Sequence, residues 1–183
     1  DSPYANSGLV VGIEIEDTHE AGFTGPLAGM ELQRRIEEAA WDEGGGELRA
    51  PATRATDFVA GRGSSTVPGT SYHPGLRAGD VGEVLDVVGL GLAARMRRAL
   101  QLFEKKMRGY VTEEAVLIGV ESRTSSPVRV PRDRESFMNP DLHGLYPCGE
   151  GAGYAGGIMS AAMDGVAVAR SVASAVTRRP PVR

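Results

Sequence analysis

Apolar residues recur at helical spacing in three long stretches. Leu27, Met30, Leu32, Ile36, Ala39 and Ala40 form a stripe that predicts a helix from Pro26-Leu27 to about Glu43, stopped by Gly44, Gly45 and Gly46. Leu92, Met96, Leu100 and Phe103 share one face of a helix predicted over about Leu90 to Met107. Arg95, Arg97, Arg98, Lys105 and Lys106 lie mostly on its other face. That basic face is read as solvated rather than as a phosphate or partner site, because charged helix faces normally meet water. The third helix runs from Ile158 to Val176, with Ala, Val and Met buried. A shorter one is expected over Val81 to Val88.

Strand signals are shorter. Gly8 to Glu16 alternates loosely and is rich in β-branched residues. Ala115 to Glu121 is strongly apolar, and Val128 to Val130 follows a Ser-Ser-Pro turn. Leu145 to Cys148 feeds almost directly into a helix, which points to a parallel core strand. A short strand is also expected at Leu48 to Ala50. His19 to Gly25 and Arg132 to Asn139 read as polar loops. Gly61 to Gly79 is dominated by Gly, Ser, Thr, Pro and His and has no apolar period, so it is expected to be a surface loop beside a substrate pocket.

The chain of 183 residues is long enough to bury a core as one domain, or as one and a half. Its formal charge of −4 argues against a nucleic-acid reader, whose footprint is basic. No apolar run approaches the ~20 residues of a membrane span, so no membrane partner is expected. Cys148 is the sole cysteine, which excludes an internal disulfide framework. The compartment is read as intracellular, cytoplasmic or organellar, plastids included. Three His and one Cys are too scattered for a metal site.

The segment from Gly144 to Gly165 carries the most specific chemistry. A short apolar run ends at Gly149-Glu150, a glycine-rich loop spans Gly151 to Gly157, and a small-residue helix opens near Ile158. Free N–H groups and the positive dipole end of that helix favour an anion or an electron-rich carbonyl. Glycines let backbone approach a ligand closely. Glu150 is placed to accept hydrogen bonds from sugar-like hydroxyls. The plain alternative is a tight strand–helix turn with close packing. Gly151, Gly153 and Gly156 also read Gly-x-Gly-x-x-Gly, but no acid stands near Ala173, about 20 positions on, where a dinucleotide fingerprint needs one.

Other candidates carry less. Arg123, within Glu121-Ser-Arg-Thr-Ser-Ser, is a planar fork suited to phosphate, carboxylate or an anionic ring edge. Its plainer reading is a pair with Glu121. His73, beside Tyr72 and a Pro-Gly turn, is read as loop structure before acid–base catalysis. His19 and His143 have no partner pattern. Cys148 is read as a small buried hydrophobe rather than a redox group.

In order along the chain, Asn6-Ser-Gly8, Pro26-Leu-Ala-Gly-Met30, Ser71-Tyr-His-Pro-Gly75, Glu121 to Arg129 and Gly144 to Gly165 resemble a family of FAD-dependent dehydrogenases. The resemblance covers nearly the whole chain. It implies an α/β (or α+β) fold, the C-terminal part of a Rossmann-like FAD-binding flavoprotein with an inserted substrate-side region. Residues 1–114 would be that substrate-side region, and 115–183 the C-terminal part of the FAD-binding domain. The implied activity is flavin-mediated electron or hydride transfer on a small-molecule substrate; the alternative is a non-catalytic nucleotide- or FAD-binding module. The resemblance places Gly149, Glu150, Ala155, Gly156, Gly157 and Ile158 against FAD, and Arg123 at the flavin or substrate pocket. The amino-terminal pyrophosphate loop of such proteins is absent from this sequence. The chain is therefore expected to be a piece of a larger protein, to hold FAD weakly alone, and to sit against the missing part or self-associate.

Overall fold

The computed structural model describes residues 3–177. The chain divides into two compact units, Asp1–Ser122 and Arg123–Arg183. The fold is mixed α/β, with several helices and one small three-stranded mixed sheet.

In the first unit, α1 (Ile15–Glu20) opens where the Asp17 carboxylate accepts the Glu14 N–H at 2.8 Å. Helix α2 (Ala28–Glu43) buries Ala28, Leu32, Ile36 and Ala40, the helical stripe expected from sequence. Gly44 ends it, its N–H reaching the Ala40 carbonyl at 2.8 Å, and Gly45 and Gly46 turn away at positive φ. Strand β1 (Ala50–Arg54) leads into α3 (Ala55–Val59). Strand β2 (Leu76–Ala78), α4 (Val81–Asp86), α5 (Leu92–Lys106) and β3 (Val116–Ile118) complete the unit.

The sheet order is β2-β1-β3, with β2 parallel and β3 antiparallel to β1; Ala52 pairs with Ala78 on one side and Ile118 on the other. The fully buried Thr53 hydroxyl ties this sheet to α4. It donates to the Gly79 carbonyl at 2.8 Å and accepts the Val81 N–H at 2.9 Å. Asp80 then caps α4 by accepting the N–H groups of Gly82 and Glu83. Leu32, Ile36, Phe58, Val81, Val84, Leu85, Leu92 and Leu100 form one core from α2 to α5. Two of the basic residues of α5 are structural: Arg95 pairs with Asp17 at 2.8 Å, and Arg97 donates to the Phe58 carbonyl while lying over its ring.

Gly8 to Glu16 does not form the expected strand. Leu9 and Val11 rest against the core and Val10 points out, so the alternation is present. No neighbouring strand pairs with it, and Ile15 already begins α1. Strand β1 runs later than the predicted Leu48 to Ala50. Gly61 to Gly79 is irregular up to Gly75, and its end forms β2. The division between the two compact units falls after Ser122, and β3 belongs to the first because it pairs with β1.

The second unit is an irregular segment followed by α6 (Ile158–Thr177). Among its described residues there is no strand, against the expectation for Val128 to Val130 and Leu145 to Cys148. Around the latter the Leu145 N–H bonds back to Leu142, its carbonyl accepts from Asn139, and Pro147 has no N–H to offer a ladder. Asn139 organises this turn. Its amide donates to the Pro131 carbonyl at 2.7 Å and its oxygen accepts from Asp141 and Leu142.

Candidate functional site

Within the second unit the structure brings together the two motifs that the sequence singled out. Arg129 donates twice to the Gly153 carbonyl, at 3.0 and 2.9 Å, and the Val130 N–H reaches the Ala152 carbonyl at 3.1 Å. Ser126 donates to the Val128 and Gly151 carbonyls. Ser125 lies next to Gly156: a Cβ built there would sit 3.6 Å from its hydroxyl oxygen. The serine-bearing segment thus forms a floor for the glycine loop.

The loop is held by one buried ion pair. Arg132 grips Asp164 with two bonds of 2.9 and 2.6 Å and donates to the Pro147 carbonyl at 2.8 Å. The side chains of Arg132 and Asp164 are only 9% and 13% exposed. Asp164 also accepts the Gly149 N–H at 2.8 Å, so the first turns of α6 fasten the start of the loop. The Arg132 guanidinium lies 3.6 Å from the Tyr154 ring centre, and Arg129 covers the same ring at 4.9 Å. The Tyr154 hydroxyl donates to the Val130 carbonyl at 2.9 Å. Arg132's hydrogen bonds hold the Asp164 carboxyl below the usual carboxylate range; partial burial opposes them, and the Gly149 N–H adds to them.

The glycines divide into two kinds. At Gly153 φ is +82°, and a Cβ would stand 2.5 Å from the Val128 carbonyl oxygen, so this glycine is required by the fold. At Gly151 a Cβ would meet nothing within 4 Å, and at Gly157 only Ser160 Oγ at 3.8 Å. Backbone is therefore open to an incoming group at Gly151, Gly156 and Gly157. Gly149 is also open but at φ +71°, a conformation that itself favours glycine. Glu150 is exposed, and none of the described residues bonds its carboxylate. Ala155 is half-buried, and Ile158 is 90% exposed at the helix start. The first N–H with an i−4 partner at that end is Ala161, bonded to the Gly157 carbonyl at 2.9 Å; the amides of Ile158, Met159 and Ser160 have no such acceptor.

Gly149 to Ile158 therefore form one contiguous element. Arg123 is exposed at the opening of the same unit. Cys148 is also exposed, which corrects its reading as a buried hydrophobe: Pro147 beside it takes the buried position. Tyr72 and His73 are exposed in the first unit, His19 lies at the end of α1, and His143 is exposed in the second. Sequence reasoning missed Arg129, Arg132, Tyr154 and Asp164. The available signal was Asp164, the lone acid in a helix rich in alanine and valine. Among the described residues no three His, Cys, Asp or Glu side chains group closely enough to hold a metal ion, and no helix is long and apolar enough to cross a membrane.

Open glycine backbone and helix-start amides without i−4 acceptors can donate hydrogen bonds to an anionic group, and the exposed Glu150 carboxylate can accept them from hydroxyls. An uncharacterized protein of Clostridium beijerinckii is 42% identical over 173 residues, covering 92% of this chain and 31% of its own length. The chain thus spans about a third of that curated relative. The similarity exceeds the first unit, so it continues into the second. Residues 1–124, nearly coincident with the first unit, match the family described as FAD-dependent protein, C-terminal domain-like, and the chain belongs to that family.

Proposed function

We propose that this chain is the C-terminal part of an FAD-dependent oxidoreductase and that Gly149 to Ile158 contact the cofactor. The observation that carries the reading is the loop pinned by Asp164 and Arg132, with open backbone at Gly151, Gly156 and Gly157. Glu150 would accept hydrogen bonds from ribityl or ribose hydroxyls. The amides at the start of α6 would face the electron-rich edge of the flavin and favour negative charge there. Arg123 would line the flavin or substrate pocket. FAD, when bound, would supply the electron or hydride chemistry. The chain's own part is to hold and orient the cofactor.

The assignment of residues 1–114 to the substrate side, of a small molecule as substrate and of Rossmann-type nucleotide binding to the parent protein belongs to the same proposal. The family supports an FAD-dependent parent. Purification of the longer protein that carries this chain tests the reading. It should show flavin bands in the visible spectrum that bleach with an electron donor. Flavin bands that no donor bleaches would favour a non-catalytic FAD-binding module. A colourless protein that takes up no added FAD would overturn the cofactor assignment.

A further inference from the structure

The chain's only tryptophan stands half out of the surface. Trp41, in the last turn of α2, is 48% exposed, and Tyr72, in the irregular segment before β2, is 43% exposed. Both line one shallow cavity of about 190 Å³ in the first unit, together with Leu48, Arg49, the wholly buried Pro51 and Val120. Large rings gain by leaving water, and two of them half exposed on one concave surface offer that gain to a ligand. An apolar cavity of about 150 Å³ is enough for benzene. This one therefore has room for a single ring with a small substituent.

The polar groups of the cavity decide the substituent. Its acceptors are already engaged: Glu47 pairs with Arg49 at 3.0 Å, and Glu37 accepts the Ser122 hydroxyl at 2.6 Å. Its donors are less committed. Among the described residues no acceptor meets the Trp41 indole N–H. The Arg49 guanidinium pairs only through Nη2, with a Glu47 side chain that is 71% exposed, and an ion pair so open to water is weak. These donors converge beside the turn that ends α2. A Cβ at Gly46 would sit 3.7 Å from Trp41 Nε1, and one at Gly45 would sit 3.5 Å from Arg49 Nη2 and 3.3 Å from Arg77 Nη1. The Glu43 carbonyl anchors Arg77 there, accepting from Nη1 at 2.9 Å. Both glycines have positive φ, and the turn keeps this space clear of side chains.

We propose that this cavity binds a single-ring carboxylate, with the ring against Trp41, Tyr72 and Pro51 and the carboxylate on Arg49, beside the indole N–H and Arg77. A ring bearing an amine would instead bring a third cation to the two guanidiniums. The site belongs to the first unit alone and does not depend on the flavin reading of the second.

Trp41 is its own reporter, since no other indole contributes to the fluorescence. The dilute 183-residue chain is titrated with benzoate, benzamide, benzylamine and acetate, and each titration is repeated by calorimetry. Benzoate should give a saturable response. Its Kd should lie at least ~10-fold below that of benzamide, which keeps the ring without the charge, and that of acetate, which keeps the charge without the ring. Arg49→Gln should remove the advantage of benzoate over benzamide and leave benzamide binding in place. It loses one exposed ion pair, so its unfolding midpoint should match wild type. Tyr72→Ala should weaken benzoate and benzamide alike. Arg98→Gln, exposed on α5 and outside the cavity, should change nothing. No saturable response to benzoate in either measurement would overturn the proposal. So would benzamide or benzylamine binding as tightly as benzoate, or a folded Arg49→Gln chain that keeps the benzoate preference. Equal loss of benzoate binding in Arg98→Gln would mark a general effect of charge and overturn it as well.

Discussion

Arg132 and Asp164 show how one pair can set a whole loop. Asp164 holds Gly149 from the helix side, while Arg132 holds Pro147 and lies on Tyr154. Asp164→Ala leaves a mostly buried guanidinium without its carboxylate, a loss of about 3 kcal/mol by analogy with broken buried pairs. Because the folded-state carboxyl titrates below its ordinary range, the stabilisation is complete above about pH 5, shrinks below the ordinary carboxyl value and disappears as pH falls through the depressed one. Unfolding curves of wild type and Asp164→Asn should therefore differ at neutral pH and converge in acid. A gap that persists unchanged at the lowest pH would contradict the pair's role. The glycines separate folding from binding. Gly153→Ala meets the Val128 carbonyl and an unfavourable φ, and should lower the unfolding midpoint sharply; Gly157→Ala meets only Ser160 Oγ and should leave it almost unchanged. Calorimetry of both variants checks this, and equal losses would refute the division. Glu150 is exposed with no protein partner to lose, so Glu150→Ala should spare stability. It should weaken FAD retention in the longer protein by one or two charged hydrogen bonds, about 1.5–3 kcal/mol each. Equal flavin occupancy in wild type and variant would contradict that role.

The helices were legible because their apolar period is set by their own burial. Leu32, Ile36 and Ala40 sit on the stripe that the sequence shows. Strands were less legible, because a strand exists only where another pairs with it. Gly8 to Glu16 has the alternation and no neighbour. Ala50–Arg54 has no alternation, contains Pro51, and is still the central strand. Its Thr53 and Pro51 are wholly buried, which composition alone does not signal. The Gly61 to Gly79 loop was legible as irregular chain, but its anchors were not. Arg54 donates to Thr66 at both its carbonyl and its hydroxyl, and Ser64 bonds Asp57 at 2.6 Å. Further along the segment, Ser71 to Pro74 are all exposed. A broad-specificity protease should cut there first, and Arg54→Ala should extend the early cuts to the residues around Thr66. First cleavage at Arg62 to Ser64 in wild type would contradict this account. The glycine loop was legible as irregular chain leading into a helix, whereas its clamp is not local: Arg132 and Asp164 are 32 positions apart and meet only in the fold.

At the scale of the whole molecule, the two units differ in self-sufficiency. The first has a sheet, a core and a family domain that nearly coincides with it. The second has a well-tied loop and a long helix, and almost no core. Such a unit is stabilised by what it packs against. The 183 residues alone should therefore bind FAD weakly, since one loop and one helix start supply few of the contacts that a dinucleotide needs. The exposed Ile158, Met159, Met163 and Val166 of α6 should favour self-association as concentration rises. Sedimentation of the chain at several concentrations, with equilibrium dialysis against FAD, checks both; a strictly monomeric chain that holds stoichiometric FAD tightly would contradict them. The most direct test of the central claim is a titration of the flavin-free longer protein with FAD, for wild type and Gly157→Val. A β-branched side chain at an open backbone position should raise the Kd by about tenfold or more, the equivalent of about 1.4 kcal/mol, without unfolding the protein. An unchanged Kd in a folded Gly157→Val protein would show that the loop ending at Ile158 does not face the cofactor.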